Sequence, residues 1–237
     1  MPCALDSLAS VKEAADKIVQ QTDRVDIVIA NAGIMAVPPA LSKDGYEIQF
    51  ATNHIGNAAL TLQVLPLMLK TAKMPGADVR FVALTSSGYR GHPKQGVDFA
   101  TLKTTQESMA LGAWGRYGQS KLANILFARQ LARRYPSITS LAIHPGVVNT
   151  ELVTELGWAN WLLVRTTNPH LLKPEQGAVN TVWAATGKDV RTRLGKEKVA
   201  LYEPVGKKHA GAKTCFDEKL MKDLWEWTER EVGVQAP

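Results

Sequence analysis

The chain is predicted to fold as an α/β protein around a parallel sheet. Three observations predict this. Short β-branched runs alternate with stretches of helical periodicity along most of the 237 residues. Hydrophobic residues make up 45% and charged residues 21%, an ordinary mix for a globular domain with a sizeable core. Polar residues also cluster just after the apolar runs, at strand carboxyl ends, where open α/β sheets hold their ligands.

Taken in order, Leu8 to Gln20 carries Leu8, Val11, Ala15, Ile18 and Val19 at helical spacing, with Ser7 or Ser10 as its cap. Val25 to Ala30 is a β-branched run expected as a buried parallel strand, and Asn31-Ala32-Gly33 turns the chain. Tyr46 to Lys70 reads as one long helix. Val79 to Leu84 is a second strand, ending at Thr85-Ser86-Ser87. Gly88 to Gly115 is a long Gly- and Thr-rich surface excursion. Arg116 to Tyr135 is a second long helix, with Tyr117 and Lys121 on its first turns. Ile138 to Ile143 is a third strand, broken by His144-Pro145-Gly146, and Pro174 to Ala185 is a helix with proline at its start. Lys198 to Tyr202 is a fourth strand and Thr214 to Glu231 a closing helix. The alternation implies right-handed crossovers. Residues 1–237 read as one domain, with about 147–173 as a lid.

Composition narrows the partners. The net charge is +6, but the basic residues are scattered and no aromatic-interleaved stripe appears, so nucleic acid is not an expected partner. Cys3 and Cys215 are too few and too far apart for a disulfide framework or a zinc site, which suits a reducing compartment, the cytoplasm. No metal is expected: His92, His170 and His209 have no ligand spacing. The first residues do not read as a signal peptide, and no apolar run reaches the roughly 18 residues of a membrane span. Trp158-Ala-Asn-Trp-Leu-Leu-Val164 is the most apolar segment expected at the surface, read as part of the lid over a small apolar substrate.

The chemistry gathers on few side chains. Tyr117 and Lys121 are four apart and share one helix face. An ammonium beside a phenol is expected to pull the tyrosine below its usual value of about 10, giving a group that hands a proton to an oxygen or takes one from it. A hydroxyl from Ser87 or Ser86 can hold that oxygen. Asn53, inside the first long helix, is expected to bind water or backbone and to connect Lys121 to solvent. Alone, a tyrosine four before a lysine is a weak signal, because any amphipathic helix can carry it.

Ordered motifs make it strong: Asn31-Ala-Gly-Ile34, Asp44 to Phe50, Thr52-Asn-His54, Leu84-Thr-Ser-Ser87, Tyr117 to Phe127 and His144 to Leu152. Together they resemble the short-chain dehydrogenase/reductase family, particularly its retinol-dehydrogenase-like and fungal branch, over nearly the whole chain. The resemblance implies a Rossmann-like doubly wound sheet and a catalytic set of Asn53, Ser87, Tyr117 and Lys121. It gives Ser87 the catalytic part over Ser86, which with Val147, Trp158 and Trp161 is assigned to the substrate. It also implies NAD(P), with Lys121 on the nicotinamide ribose, Asn31, Ala32 and Gly33 on the adenosine side, and Pro145, Gly146 and Thr150 along the nicotinamide and pyrophosphate.

The family's Thr-Gly-x-x-x-Gly-x-Gly turn is not found in these 237 residues. Gly88, Gly91 and Gly96 follow the serine pair, in the wrong place, and the family's adenine-contacting aspartate aligns with Ala4. The sheet is therefore expected to miss its first strands, leaving Val25 to Ala30 as an apolar edge that promotes homo-oligomers. Three functions follow as expectations. The first, slightly preferred, is cofactor-independent acid–base chemistry on an apolar carbonyl: isomerisation, dehydration or cyclisation. The second is NAD(P)-dependent oxidoreduction. The third is a non-catalytic binding role.

Overall fold

The computed structural model describes residues 2–154, 156–194 and 201–237. Its five-stranded sheet has the order β1-β2-β3-β4-β5, formed by β1 (Ile27–Ala30), β2 (Arg80–Leu84), β3 (Thr139–Ile143), β4 (Leu201–Glu203) and β5 (Lys207–His209). The first four strands run parallel and β5 is antiparallel to β4. Of the expected fourth strand, residues 198–200 lie outside the described residues. The short charged β5 has no apolar signal and was not anticipated.

The pleat sorts β2 between two cores. Phe81 and Ala83 face the larger one, with α1 (Leu8–Gln21), α3 (Gly56–Thr71), α4 (Gly112–Arg134) and α9 (Glu218–Val232). Phe127 stacks there on Trp225, with ring centroids 5.0 Å apart. Val82 and Leu84 face the other core, with Leu141, Ile143 and Tyr202, and with Ala184, Ala185 and Val190 from α7 (Pro174–Thr186) and α8 (Val190–Leu194). That second layer stops short of β1. Ile27 and Ile29 are in register with Arg80 and Val82, so they point to the same face, yet they are 40% and 43% exposed. The outer edge of β1 has no strand beside it among the described residues.

Helix ends follow local chemistry. Ser7 caps α1, its hydroxyl accepting from Ser10 N at 3.4 Å. The closing helix starts later than expected. A 3-10 turn, Lys213–Phe216, comes first, and Asp217 then caps α9 by accepting from Leu220 N at 2.9 Å. The expected long helix from Tyr46 is not uniform. It opens as α2 (Ile48–Phe50), widens into a π turn at Ala51–Ile55 and continues as α3. Such turns are frequent at functional sites, and this one holds Asn53. Glu47 caps α2 and forms a buried ion pair with Arg116 Nε at 3.2 Å, so the start of α2 is tied to the residue before Tyr117. The apolar stretch 147–173 forms α5 (Glu151–Thr154) and α6 (Trp158–Thr167), with residue 155 outside the described set. No helix among the described residues is long and apolar enough to cross a membrane.

Candidate active site

Three strand ends converge on one point. β1 delivers Asn31 to Gly33, β2 delivers Thr85 and Ser86, and β3 delivers His144 to Gly146. Tyr117 and Lys121 reach it from the buried face of α4. Lys121 donates from Nζ to Leu84 O at 3.2 Å, and Thr85 Oγ1 donates to Lys121 O at 2.7 Å, which locks α4 to the end of β2. The ammonium lies 5.7 Å from the centre of the Tyr117 ring.

The two serines of the pair stand differently after β2. The Ser86 hydroxyl, and not that of Ser87, acts on the Tyr117 phenol and pulls it down. Ser86 is the extended residue before the 3-10 turn Ser87–Gly91, and its Oγ also accepts from Gly88 N at 3.1 Å. Ser87 is already in the turn. Gly88 lets the turn approach, since a Cβ there would lie 3.0 Å from the Tyr117 ring.

The expected acidification of Tyr117 is corrected. The side chain is only 4% exposed, and burial pushes its phenol up to about 12 despite Ser86, which pulls the other way. Burial also pushes Lys121 down to about 8. Desolvation outweighs the pull of Ser86, so at neutral pH the phenol keeps its proton.

Asn53 binds backbone, one of the two partners expected of it. Its Oδ1 accepts from Ile34 N at 2.7 Å, and its Nδ2 donates to Ile34 O and Ser120 Oγ, both at 2.9 Å. The amide is committed to holding the loop after β1, so it is a strut and not a side-chain link to solvent. Gly33 sits in the gap this creates. A Cβ there would lie 2.7 Å from Asn53 Oδ1 and 3.3 Å from Lys121 Nζ. Gly33→Ala is therefore expected to cost about 1–3 kcal/mol through overpacking, read as a lower urea midpoint at unchanged m. An unaltered midpoint would show that the loop is not this close.

The remaining candidates divide. Asn31 N donates to Ile29 O at 3.0 Å, and Ala32 O accepts from Asn57 Nδ2 at 3.1 Å, so the β1 loop is fixed. Gly146, at φ +89°, packs where a Cβ would strike Leu172 at 2.6 Å, and Pro145 precedes it at the β3 end. Val147 O accepts from Leu172 N at 2.8 Å, and Thr150 is exposed at the start of α5. Trp158 and Trp161 do not turn inward: they are 82% and 42% exposed, and α6 buries only Val164. The aromatic residue actually beside the phenol is Trp114, edge-on to Tyr117 with centroids 6.2 Å apart at 88°. Its spacing of three before Tyr117 is the signal that marks it. His54 is buried against Thr228 Oγ1 at 3.0 Å and pushed down to about 3 by burial, so it is a packing residue. Among the described residues no group of His, Cys, Asp and Glu is placed to hold a metal.

The fold and this convergence define an α/β protein with a buried tyrosine–lysine pair at its strand ends. The family model described as short chain dehydrogenase matches residues 1–87. Short chain dehydrogenase/reductase dpchH of Colletotrichum higginsianum is 35% identical, over 98% of this chain and 60% of its own length. Human retinol dehydrogenase 13 is 34% identical, over 98% of this chain and 68% of its own length. A crystal structure of an uncharacterized protein from Mycobacterium paratuberculosis superposes with a TM-score of 0.69 at 28% identity, covering 99% of this chain and 75% of that one. The chain belongs to the short-chain dehydrogenase/reductase family. It spans 60% of the length of dpchH and 65% of that of an oxidoreductase from Schizosaccharomyces pombe.

Proposed function

We propose that the chain carries the acid–base centre of an NAD(P)-dependent oxidoreductase that reduces an apolar carbonyl to an alcohol. One observation carries this: Tyr117, protonated at neutral pH, stands with Ser86 and Lys121 where three parallel strands end. A relative named retinol dehydrogenase, 34% identical, supports redox chemistry over the expected cofactor-independent reaction.

The residues present fit the nicotinamide–ribose end of the cofactor. Gly33 leaves its backbone bare beside Lys121, and the amines and hydroxyls there are donors for a ribose. Lys121 would hold the ribose, with Asn31 to Gly33 and Pro145–Gly146 flanking it. The pyrophosphate end has no matching loop within the 237 residues. When bound, the nicotinamide supplies a hydride to the carbonyl carbon. Ser86 donates a hydrogen bond to the carbonyl oxygen and fixes it against the phenol. Tyr117 donates its proton to that oxygen as negative charge develops. Lys121, charged below about pH 8, steadies the resulting phenolate. The apolar edge of β1 supports self-association, and the free thiols Cys3 and Cys215 suit a reducing compartment.

Titrating the purified chain with NADPH and NADH, by nicotinamide fluorescence and thermal shift, tests the reading. Saturation below about 1 mM is expected. No binding at that concentration, with no reduction of decan-2-one, would return the site to cofactor-free chemistry. A second comparison separates the serines. Ser86→Ala is expected to lower kcat by about 10²-fold or more, and Ser87→Ala to leave it unchanged. The reverse ranking would restore the role to Ser87.

A further inference from the structure

We infer that Trp114 is a positioning residue that pins the lid helix α6 over Tyr117 and thereby governs how tightly the apolar part of a substrate is held. The inference deepens the oxidoreductase reading and rests on it for its substrate class, an apolar carbonyl.

Trp114 belongs to the first turn of α4, one helical step before Tyr117. It is well anchored. The carbonyl of Ala113 accepts from Gln49 Nε2 at 3.0 Å, and the backbone of Trp114 is so close to Gly91 that a Cβ there would meet Trp114 O at 3.3 Å. Its ring stands edge-on to the phenol. An indole has one polar hydrogen, and this one is donated to Asn160 Oδ1 in α6 at 3.0 Å.

The other end of that bond is weakly held. α6 packs against α5 and buries Val164 alone, while Trp158, Trp161, Leu162 and Leu163 remain exposed. At its base the segment is hinged by Asn149 N to Leu172 O at 2.9 Å and Leu172 N to Val147 O at 2.8 Å. Among the described residues, Trp114 to Asn160 is the side-chain hydrogen bond that joins α6 to the body of the protein. A rigid donor beside the reacting phenol and a loosely packed acceptor on the lid make a latch. One neutral hydrogen bond changes a closed-to-open ratio by about fivefold. That is enough to set residence of the substrate without blocking entry.

Amide hydrogen exchange of the peptide 158–167 tests the latch without needing turnover. Trp114→Phe keeps the ring edge and drops the donor, and Asn160→Ala drops the acceptor. Each is expected to exchange about fivefold faster there, with peptide 122–128 unchanged. Asn160→Asp keeps an acceptor and should stay as slow as the natural chain. With decan-2-one and NADPH, Trp114→Phe and Asn160→Ala should raise KM by about the same factor at constant kcat. Unchanged exchange in Asn160→Ala, equally fast exchange in Asn160→Asp, or a fall in kcat at constant KM would each overturn the proposal. Should the natural chain show no turnover at all, the oxidoreductase reading falls and the exchange rates still decide the latch.

Discussion

Tyr117→Phe is expected to lower carbonyl reduction by about 10³-fold while leaving the protein folded. The substitution removes one oxygen and keeps the ring that packs against Gly88 and Trp114. The hydroxyl's neighbour is Ser86, so the loss in stability should be at most about 1 kcal/mol. The two effects are therefore separable: kcat/KM collapses and the urea midpoint barely moves. Retention of most activity would show that another group delivers the proton. The direction of reaction follows from the same phenol. Held near 12 by burial, it is a proton donor at neutral pH and becomes an acceptor only when a positive neighbour brings it down.

Lys121→Met should abolish turnover and make the protein more stable at pH 7. Burial holds the lysine near 8, against an ordinary 10.5. Below about pH 8 the folded and unfolded chains both carry the proton, and the cost of burying the charge is fully present. Between about 8 and 10.5 the unfolded chain binds the extra proton, so stability rises with pH through that window. The full cost corresponds to about 3 kcal/mol. Methionine forfeits the hydrogen bond to Leu84 O, about 1 kcal/mol, leaving a net gain of about 2 kcal/mol. For a chain of this size that is about 4–8 °C in Tm. Tyr117 acts oppositely above pH 10, where the unfolded phenol ionises first, so the comparison belongs between pH 7 and 10. A variant that melts lower than the natural chain at pH 7, or a natural chain whose stability is flat from 8 to 10, would show that Lys121 is better solvated than this structure has it.

Periodicity made most of the architecture legible. Val28, Ile29, Phe81, Val82, Leu141 and Ile143 lie in short apolar runs, and each run is a strand. β5 was illegible because Lys207, Lys208 and His209 carry no apolar side chain to mark a strand. The π turn at Asn53 was illegible for a related reason: a helix one residue wider per turn leaves no mark on apolar spacing. In the site, Tyr117 and Lys121 could be read from their spacing. The different settings of Ser86 and Ser87 needed the turn after β2, which leaves one extended and takes the other into a 3-10 helix. Trp114 was hidden by a boundary. With α4 starting at Arg116 it is a loop residue, whereas from Gly112 it shares a face with Tyr117. The tyrosine's shift was misjudged because sequence spacing records a neighbouring charge but not the depth of burial, and depth dominates here.

The open flank of the sheet bears on what a melting curve of this chain measures. Ile27 and Ile29 continue the apolar face of Val82, but no helix of the described residues covers them, and the strand's outer edge is unpaired. Whatever covers that flank binds the folded state and not the unfolded one, adding stability in proportion to the logarithm of its concentration. Should copies of the chain meet there, a midpoint recorded on a dilute sample and one recorded on a concentrated sample are two points on a binding isotherm, and neither is an intrinsic constant of the sequence.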